Sequence, residues 1–167
     1  MIAGELITLR ARRADDVPHA KRWYADPETT RWLLDEAHDY VVPDEPTAFG
    51  DVRFTVDDTA TGTPIGTAGL VGASPEHRHA TAFVVVGDAA YRGRGYGTDT
   101  MRTLCRFAFA SMNLAKVELE VIAGHAAAVS LYERLGFVRE VHRKGALWVR
   151  GAWHDEYLMG LLPEELR

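Results

Sequence analysis

Only one cysteine, Cys105, occurs among the 167 residues, so an internal disulfide is excluded and the fold must hold by packing alone. No apolar run approaches the ~18 residues that a membrane-crossing helix requires. The opening Met1–Glu5 lacks the basic and apolar regions of a secretion signal, which makes a cytoplasmic location the expectation. Excess positive charge is also missing: the formal net charge is −5, which argues against nucleic acid as the main partner and favours cationic ones. Internal repeats and low-complexity tracts are absent, and 47% hydrophobic with 26% charged residues places the chain among ordinary globular proteins. A single domain over residues 1–167 is predicted.

What is present is a succession of strand and helix patterns. Leu6–Arg10 alternates as a half-buried strand, and Ala14-Asp15-Asp16 before Pro18 starts a helix reaching about Tyr24. A short second helix is expected after Pro27 through Leu34, and a proline-containing loop from His38 to Ala48. Val52–Val56 and Ile65–Val71 flank a turn at Thr59–Gly62, and His79–Val86 adds a third strand. Met101, Leu104, Cys105, Ala108, Phe109 and Met112 make a helical stripe, and Lys116–Ile122 alternates as a strand. Ala128, Leu131, Tyr132 and Leu135 form a second stripe that Gly136 stops, and the tail folds as a hairpin about Gly151.

Between the strand ending at Val86 and the helix lies Tyr91-Arg92-Gly93-Arg94-Gly95-Tyr96-Gly97-Thr98. Glycines let the backbone turn tightly and approach an anion, and the helix start presents unpaired N–H groups and a positive dipole end. A Walker loop would need a Lys after the glycines, and none follows. A dinucleotide fingerprint would place the third glycine one residue later, although Glu118 or Glu120 could serve as its acidic ribose partner, so that reading stays open. A turn and helix start without any ligand is the plainest alternative.

The spacing Arg92, Gly95, Gly97 is R-x-x-G-x-G. With Leu114–Val121, Ala128–Phe137 and Gly151–Leu162 it resembles the GNAT superfamily of acetyl-CoA-dependent N-acetyltransferases, over roughly residues 82–162. The pattern is most similar to the branch holding the Rim-type acetyltransferases of ribosomal-protein N-termini and many bacterial small-amine acetyltransferases. The resemblance implies an α/β fold with a mixed, mostly antiparallel sheet of about seven strands and helices on both faces. The strands around Val85 and Val121 should be parallel neighbours joined by the helix from Gly95 to Met112, and their separation at one end should open the cofactor slot.

The same resemblance distributes the chemistry. Main-chain amides of Gly93, Arg94, Gly95, Tyr96, Gly97 and Thr98 would hold the pyrophosphate of acetyl-CoA, with Arg92 and Arg94 adding charge. The strand Val84-Val85-Val86 would offer a backbone N–H to the acetyl oxygen. Tyr132 matches the family's general acid, and a phenol is protonated at neutral pH, though a buried core tyrosine is its structural alternative. Glu120 is the candidate base and Glu118, on the same strand face, its rival. His125 stands where many members carry Asn, and it would replace that amide with one donor and one acceptor.

No metal is expected, since His77 and His79 lack a third ligand in the sequence, and Cys105 lies on a buried stripe that disfavours an acyl-cysteine route. The acceptor would be a small-molecule or antibiotic amine or a peptide N-terminus, entering beside Trp23, Tyr24, Trp32, Trp148 and Trp153. Neither nucleic acid nor membrane is an expected partner, and a homodimer is compatible with the pattern. A non-catalytic acyl-CoA sensor is the rival from another class, motivated by His125.

Overall fold

The computed structural model describes residues 1–33 and 50–167. The loop expected over His38–Ala48, and Leu34 at the end of the second helix, lie outside them. The strands are β1 (Ile2–Ala3), β2 (Ile7–Ala11), β3 (Val52–Asp58), β4 (Pro64–Ser74), β5 (His79–Val86), β6 (Lys116–Ile122), β7 (Val138–Val149) and β8 (Ala152–Leu161). The helices are α1 (Val17–Ala25), α2 (Pro27–Thr30), α3 (Tyr96–Ala110) and α4 (Ala126–Leu135).

Among the described residues these eight strands join one sheet in the order β1-β2-β3-β4-β5-β6-β8-β7. Of these pairings only β5 with β6 is parallel. The strand beyond the expected seven is β1, two residues that pair with Thr8 and Leu9 after the chain doubles back at Gly4. So short a segment has no periodicity to read.

Side-chain alternation assigns the two faces of the sheet. Val117, Leu119 and Val121 of β6, Ala80 and Ala82 of β5, and Val56 of β3 point to one face, where they pack with Met101, Leu104, Cys105 and Ala108 of α3 and Val129 and Leu135 of α4. On the opposite face Val85 of β5 packs with Ala20, Trp23 and Tyr24 of α1. Glycine stops α4 as expected, with Gly136 in the left-handed region at its C-cap.

The parallel pairing is brief. His79 faces Lys116, Ala80 faces Val117 and Thr81 faces Glu118, and there the register ends. Beyond it β5 stays with β4 as far as Val86, while β6 stays with β8 as far as Ile122. The two central strands are thus each held from outside and part from one another, leaving a notch in the middle of the sheet. That separation is the one expected between the strands around Val85 and Val121.

Candidate active site

One continuous cavity of about 900 Å³ passes through the notch. On the α3–α4 side it is lined by Val84, Val86, Gly93, Gly95, Gly97, Thr98, Leu131 and Tyr132, and on the α1–α2 side by Trp32, Leu33, Arg53, Thr81, Phe83 and Glu120. His125 stands between the two halves at the N-cap of α4.

The glycine loop has the backbone geometry that an anion cradle requires. Gly93 and Gly95 have φ of +69° and +90°, a region costly for any residue with a Cβ, and Gly95 caps α3 with no side chain bonded to the first-turn amides. The first backbone bond of α3 runs from Asp99 N to Gly95 O at 2.9 Å, which leaves the N–H groups of Tyr96, Gly97 and Thr98 to point out of the helix end. At Gly97 a Cβ would sit 3.4 Å from Leu131 Cδ1 and 3.6 Å from Val86 Cγ2, ordinary contact distances that do not themselves demand glycine. The helix start is pinned from behind by Asp99, whose carboxylate accepts from Leu6 N at 2.7 Å and Ile7 N at 3.2 Å. These amides, with no side chain in their way, fit a diphosphate.

Arginines of the loop do different work from the added charge expected of them. Arg92 lines the cavity but spends its guanidinium on protein: Nε donates to Val86 O at 3.0 Å, and Nη2 to Gly87 O at 2.8 Å, Thr29 Oγ1 at 2.5 Å and Asp26 Oδ2 at 3.3 Å. It ties the end of β5 to the α1–α2 junction. Arg94 does not line the cavity. Its guanidinium lies about 6 Å from the ring centres of Tyr91 and Tyr96, with one bond to Ala90 O at 3.1 Å. The Tyr96 hydroxyl likewise turns away and donates to Asp58 Oδ1 at 3.1 Å, so any contribution of this residue to the cradle is through its main chain.

Of the three valines, the strand register separates two from one. Gly87 N donates to Ile65 O at 2.9 Å, in line with the Val86–Gly66 and Val85–Thr67 pairs. Antiparallel alternation then turns the Val85 amide toward β4 and those of Val84 and Val86 toward the notch. The Arg92 bond to Val86 O, on the side away from β4, agrees with that parity.

Tyr132 reaches the notch from α4 with its ring tilted against Phe137, 5.8 Å between centres. Burial, with the neighbouring Cys105 thiol adding to it, pushes the phenol up to about 12, so it is a proton donor throughout the neutral range. Burial also pushes Cys105 up to about 12, and a thiol held protonated inside α3 is a poor nucleophile. Glu118 and Glu120 share a face of β6, as expected, but not a setting. Glu118 is engaged by Lys116 Nζ at 2.9 Å and His79 Nδ1 at 3.4 Å where the strands are still paired, whereas Glu120 is exposed and lines the cavity. His125 stacks flat on Trp32, 4.6 Å between centres and 6° between planes, and burial lowers its pKa, which favours the neutral ring.

Of the aromatics expected at the acceptor side, only Trp32 lines the cavity. Trp23 and Tyr24 are buried under α1, the Tyr24 hydroxyl bonding Thr67 Oγ1 at 3.1 Å. Trp148 and Trp153 face each other across β7 and β8 with centres 5.2 Å apart, exposed near the hairpin tip. Phe83 and Arg53 escape sequence reasoning because neither belongs to a motif; they reach the cavity only through strand register. Among the described residues no three His, Cys, Asp or Glu side chains gather as a metal site, and no helix is long and apolar enough to cross a membrane.

A split central sheet, a glycine cradle at a helix start and a protonated tyrosine at the gap define an acyltransferase built to grip a diphosphate-bearing thioester. The family model for the acetyltransferase (GNAT) domain matches residues 7–138, and the chain belongs to that family. It is accordingly an N-acetyltransferase that takes its acetyl group from acetyl-CoA.

Spermidine N(1)-acetyltransferase of Vibrio cholerae is 27% identical over 143 residues, covering 86% of this chain and 79% of the relative. N-alpha-acetyltransferase RimI of Mycobacterium tuberculosis is 37% identical over 100 residues, 59% of each chain. Among solved structures, spermidine N-acetyltransferase from Vibrio cholerae in complex with CoA and spermine superposes with a TM-score of 0.86 at 22% identity, covering 96% of this chain and 97% of that one. A GNAT-family acetyltransferase from Bacillus anthracis superposes with 0.83 at 18% identity, covering 98% and 99%.

Proposed function

We propose that this chain acetylates a primary amine by direct attack within a ternary complex, with Tyr132 as general acid and Glu120 as general base. The observation that carries the reading is the single cavity on which cradle, notch amides, phenol and carboxylate all open. Acetyl-CoA, when bound, supplies the acetyl group as a thioester. Amides of residues 93–98 hold its pyrophosphate, and the Val84 or Val86 N–H takes the acetyl oxygen as charge builds on it. His125, neutral and fixed by Trp32, offers a ring nitrogen beside the pantetheine arm in place of an amide.

Glu120, on the opposite side of the gap, removes a proton from the acceptor ammonium, directly or through water. The freed nitrogen forms its bond to the acetyl carbon as the carbon–sulfur bond breaks and gives up its second proton to solvent, and Tyr132 O–H donates the proton that the departing sulfur needs. The phenol is then reprotonated from solvent, and the products are an acetamide and free CoA. A Cys105 acyl-enzyme has no place in this scheme, because that thiol stays protonated within the core.

The acceptor is a small-molecule amine or a peptide N-terminus. The relatives support both: the spermidine enzyme matches along most of the chain, and the N-alpha-acetyltransferase matches at higher identity over a shorter part. Acetyl-CoA-dependent thiol release across N-terminal peptides, polyamines, aminoglycosides and amino acids tests the reading. Turnover that collapses in Tyr132→Phe supports it; acetyl-CoA binding with no thiol release for any amine would make the chain a sensor.

A further inference from the structure

We infer that the acceptor bears a carboxylate beside its amine, and that Arg53 is the residue that recognises it. The inference rests on the acetyltransferase reading above and narrows the acceptor class of the same site.

Arg53 lies in β3 opposite Gly69 of β4, and Gly69 lies opposite Phe83 of β5. These positions share the α1–α2 face, since Phe54 on the other parity meets Phe107 of α3 edge-on at 5.6 Å while Thr55 bonds Asp16 just ahead of α1. A Cβ on Gly69 would come within 2.6 Å of the Phe83 ring, so glycine there lets the ring and the arginine meet across the intervening strand. The guanidinium sits 5.6 Å from the centre of that ring. Its contact with Phe83 leaves the planar N–H fork without a carboxylate partner among the described residues, inside a cavity that it helps to line. Continuing the Thr81–Glu118 register by two residues puts Glu120 level with Phe83 across the notch.

The floor of the acceptor half is therefore a row: guanidinium, aromatic ring, gap, carboxylate. Among the described residues, the other acid lining this half is Glu28, with Arg31 3.8 Å away. A polycation gains from Glu120 but meets like charge at Arg53. A molecule with an ammonium at one end and a carboxylate a few bonds away satisfies both, and the guanidinium fork matches a carboxylate in two parallel bonds. The chemical class is an amino acid or an amine of similar build, in contrast to the polyamines that the spermidine enzymes are named for.

The experiment is a matched series: free amino acids, their carboxamides and their decarboxylated amines, with spermidine, assayed by thiol release on the wild type, Arg53→Gln, Arg53→Lys and Arg53→Glu, each checked by circular dichroism and melting. The expected result is a kcat/KM at least tenfold higher for the best amino acid than for its decarboxylated amine. That preference should vanish in Arg53→Gln through KM, survive in part in Arg53→Lys and reverse in Arg53→Glu, with the KM for acetyl-CoA unmoved in all of them. Equal or better turnover of the decarboxylated amines or spermidine by the wild type, or a preference unchanged in Arg53→Gln, overturns the assignment and leaves the acetyltransferase reading standing. Acetyl-CoA binding without turnover of any amine overturns both.

Discussion

The two halves of the cavity are made in different ways. On the α3–α4 side the proposed recognition is by main-chain amides at Gly93–Thr98 and at Val84 and Val86, held by a turn and a helix start that follow one another in the chain. On the α1–α2 side it would come from side chains on separate strands that line the cavity, Arg53, Phe83 and Glu120, with Trp32 beside α2. A main-chain site tolerates change in its side chains and demands a particular backbone; a side-chain site does the reverse. One half suits a ligand that is constant across a family, and the other suits a ligand that varies.

That contrast predicts graded effects. The largest belongs to the phenol at the boundary between the halves: Tyr132→Phe should lower kcat by about 100-fold with acetyl-CoA affinity unchanged, read by thiol-release assays and calorimetry. Because the phenol lies near 12, kcat should rise with pH as the acceptor amine loses its proton and show no decline from Tyr132 below about pH 11. A basic limb near pH 9 that disappears in Tyr132→Phe would sink that assignment.

Next is Glu120→Gln, expected to cost roughly 10- to 100-fold in kcat/KM and to recover at high pH, where the amine is already neutral. A loss equal at every pH would mean that the carboxylate binds the acceptor without moving a proton. Gly95→Val follows. A Cβ at Gly95 would meet nothing nearer than Leu6 Cδ1 at 3.5 Å, so the penalty is the positive φ, and acetyl-CoA should bind about tenfold more weakly while the acceptor KM is unmoved. The smallest effect is that of Arg94→Ala, under about threefold, because its charge stands outside the cavity in solvent. A large effect at Arg94 with none at Gly95 would invert the main-chain account of the cradle.

The same division explains what is legible in the amino-acid order. The cradle is local: glycine spacing, a helix stripe and a following strand all fall within about thirty residues, and local patterns are what a chain displays openly. The alternation of Val or Leu with polar residues in β6, and the apolar run that closes β5, give both strands the bounds that they have in the fold. The acceptor half depends on which residue of β3 lies across from which residue of β5, and register between strands separated by β4 leaves no trace in composition. Trp23 and Trp153 are plausible cleft residues by type alone; helix burial removes the first, and the outward turn of the hairpin the second. Arg92 matches the motif, but its four oxygen partners lie on Asp26, Thr29, Val86 and Gly87, two of which are far away in sequence.

A sheet ordinarily has borders only at its perimeter, yet the parting of β5 from β6 after three pairs gives this one a border inside itself. The donors and acceptors along that inner margin face the cavity between the strands and not the outer edge of the sheet. A slim, amide-containing thread can take the missing strand's place there. The fold thus keeps unpaired strand edges in its interior, where a ligand can meet them, instead of at its rim.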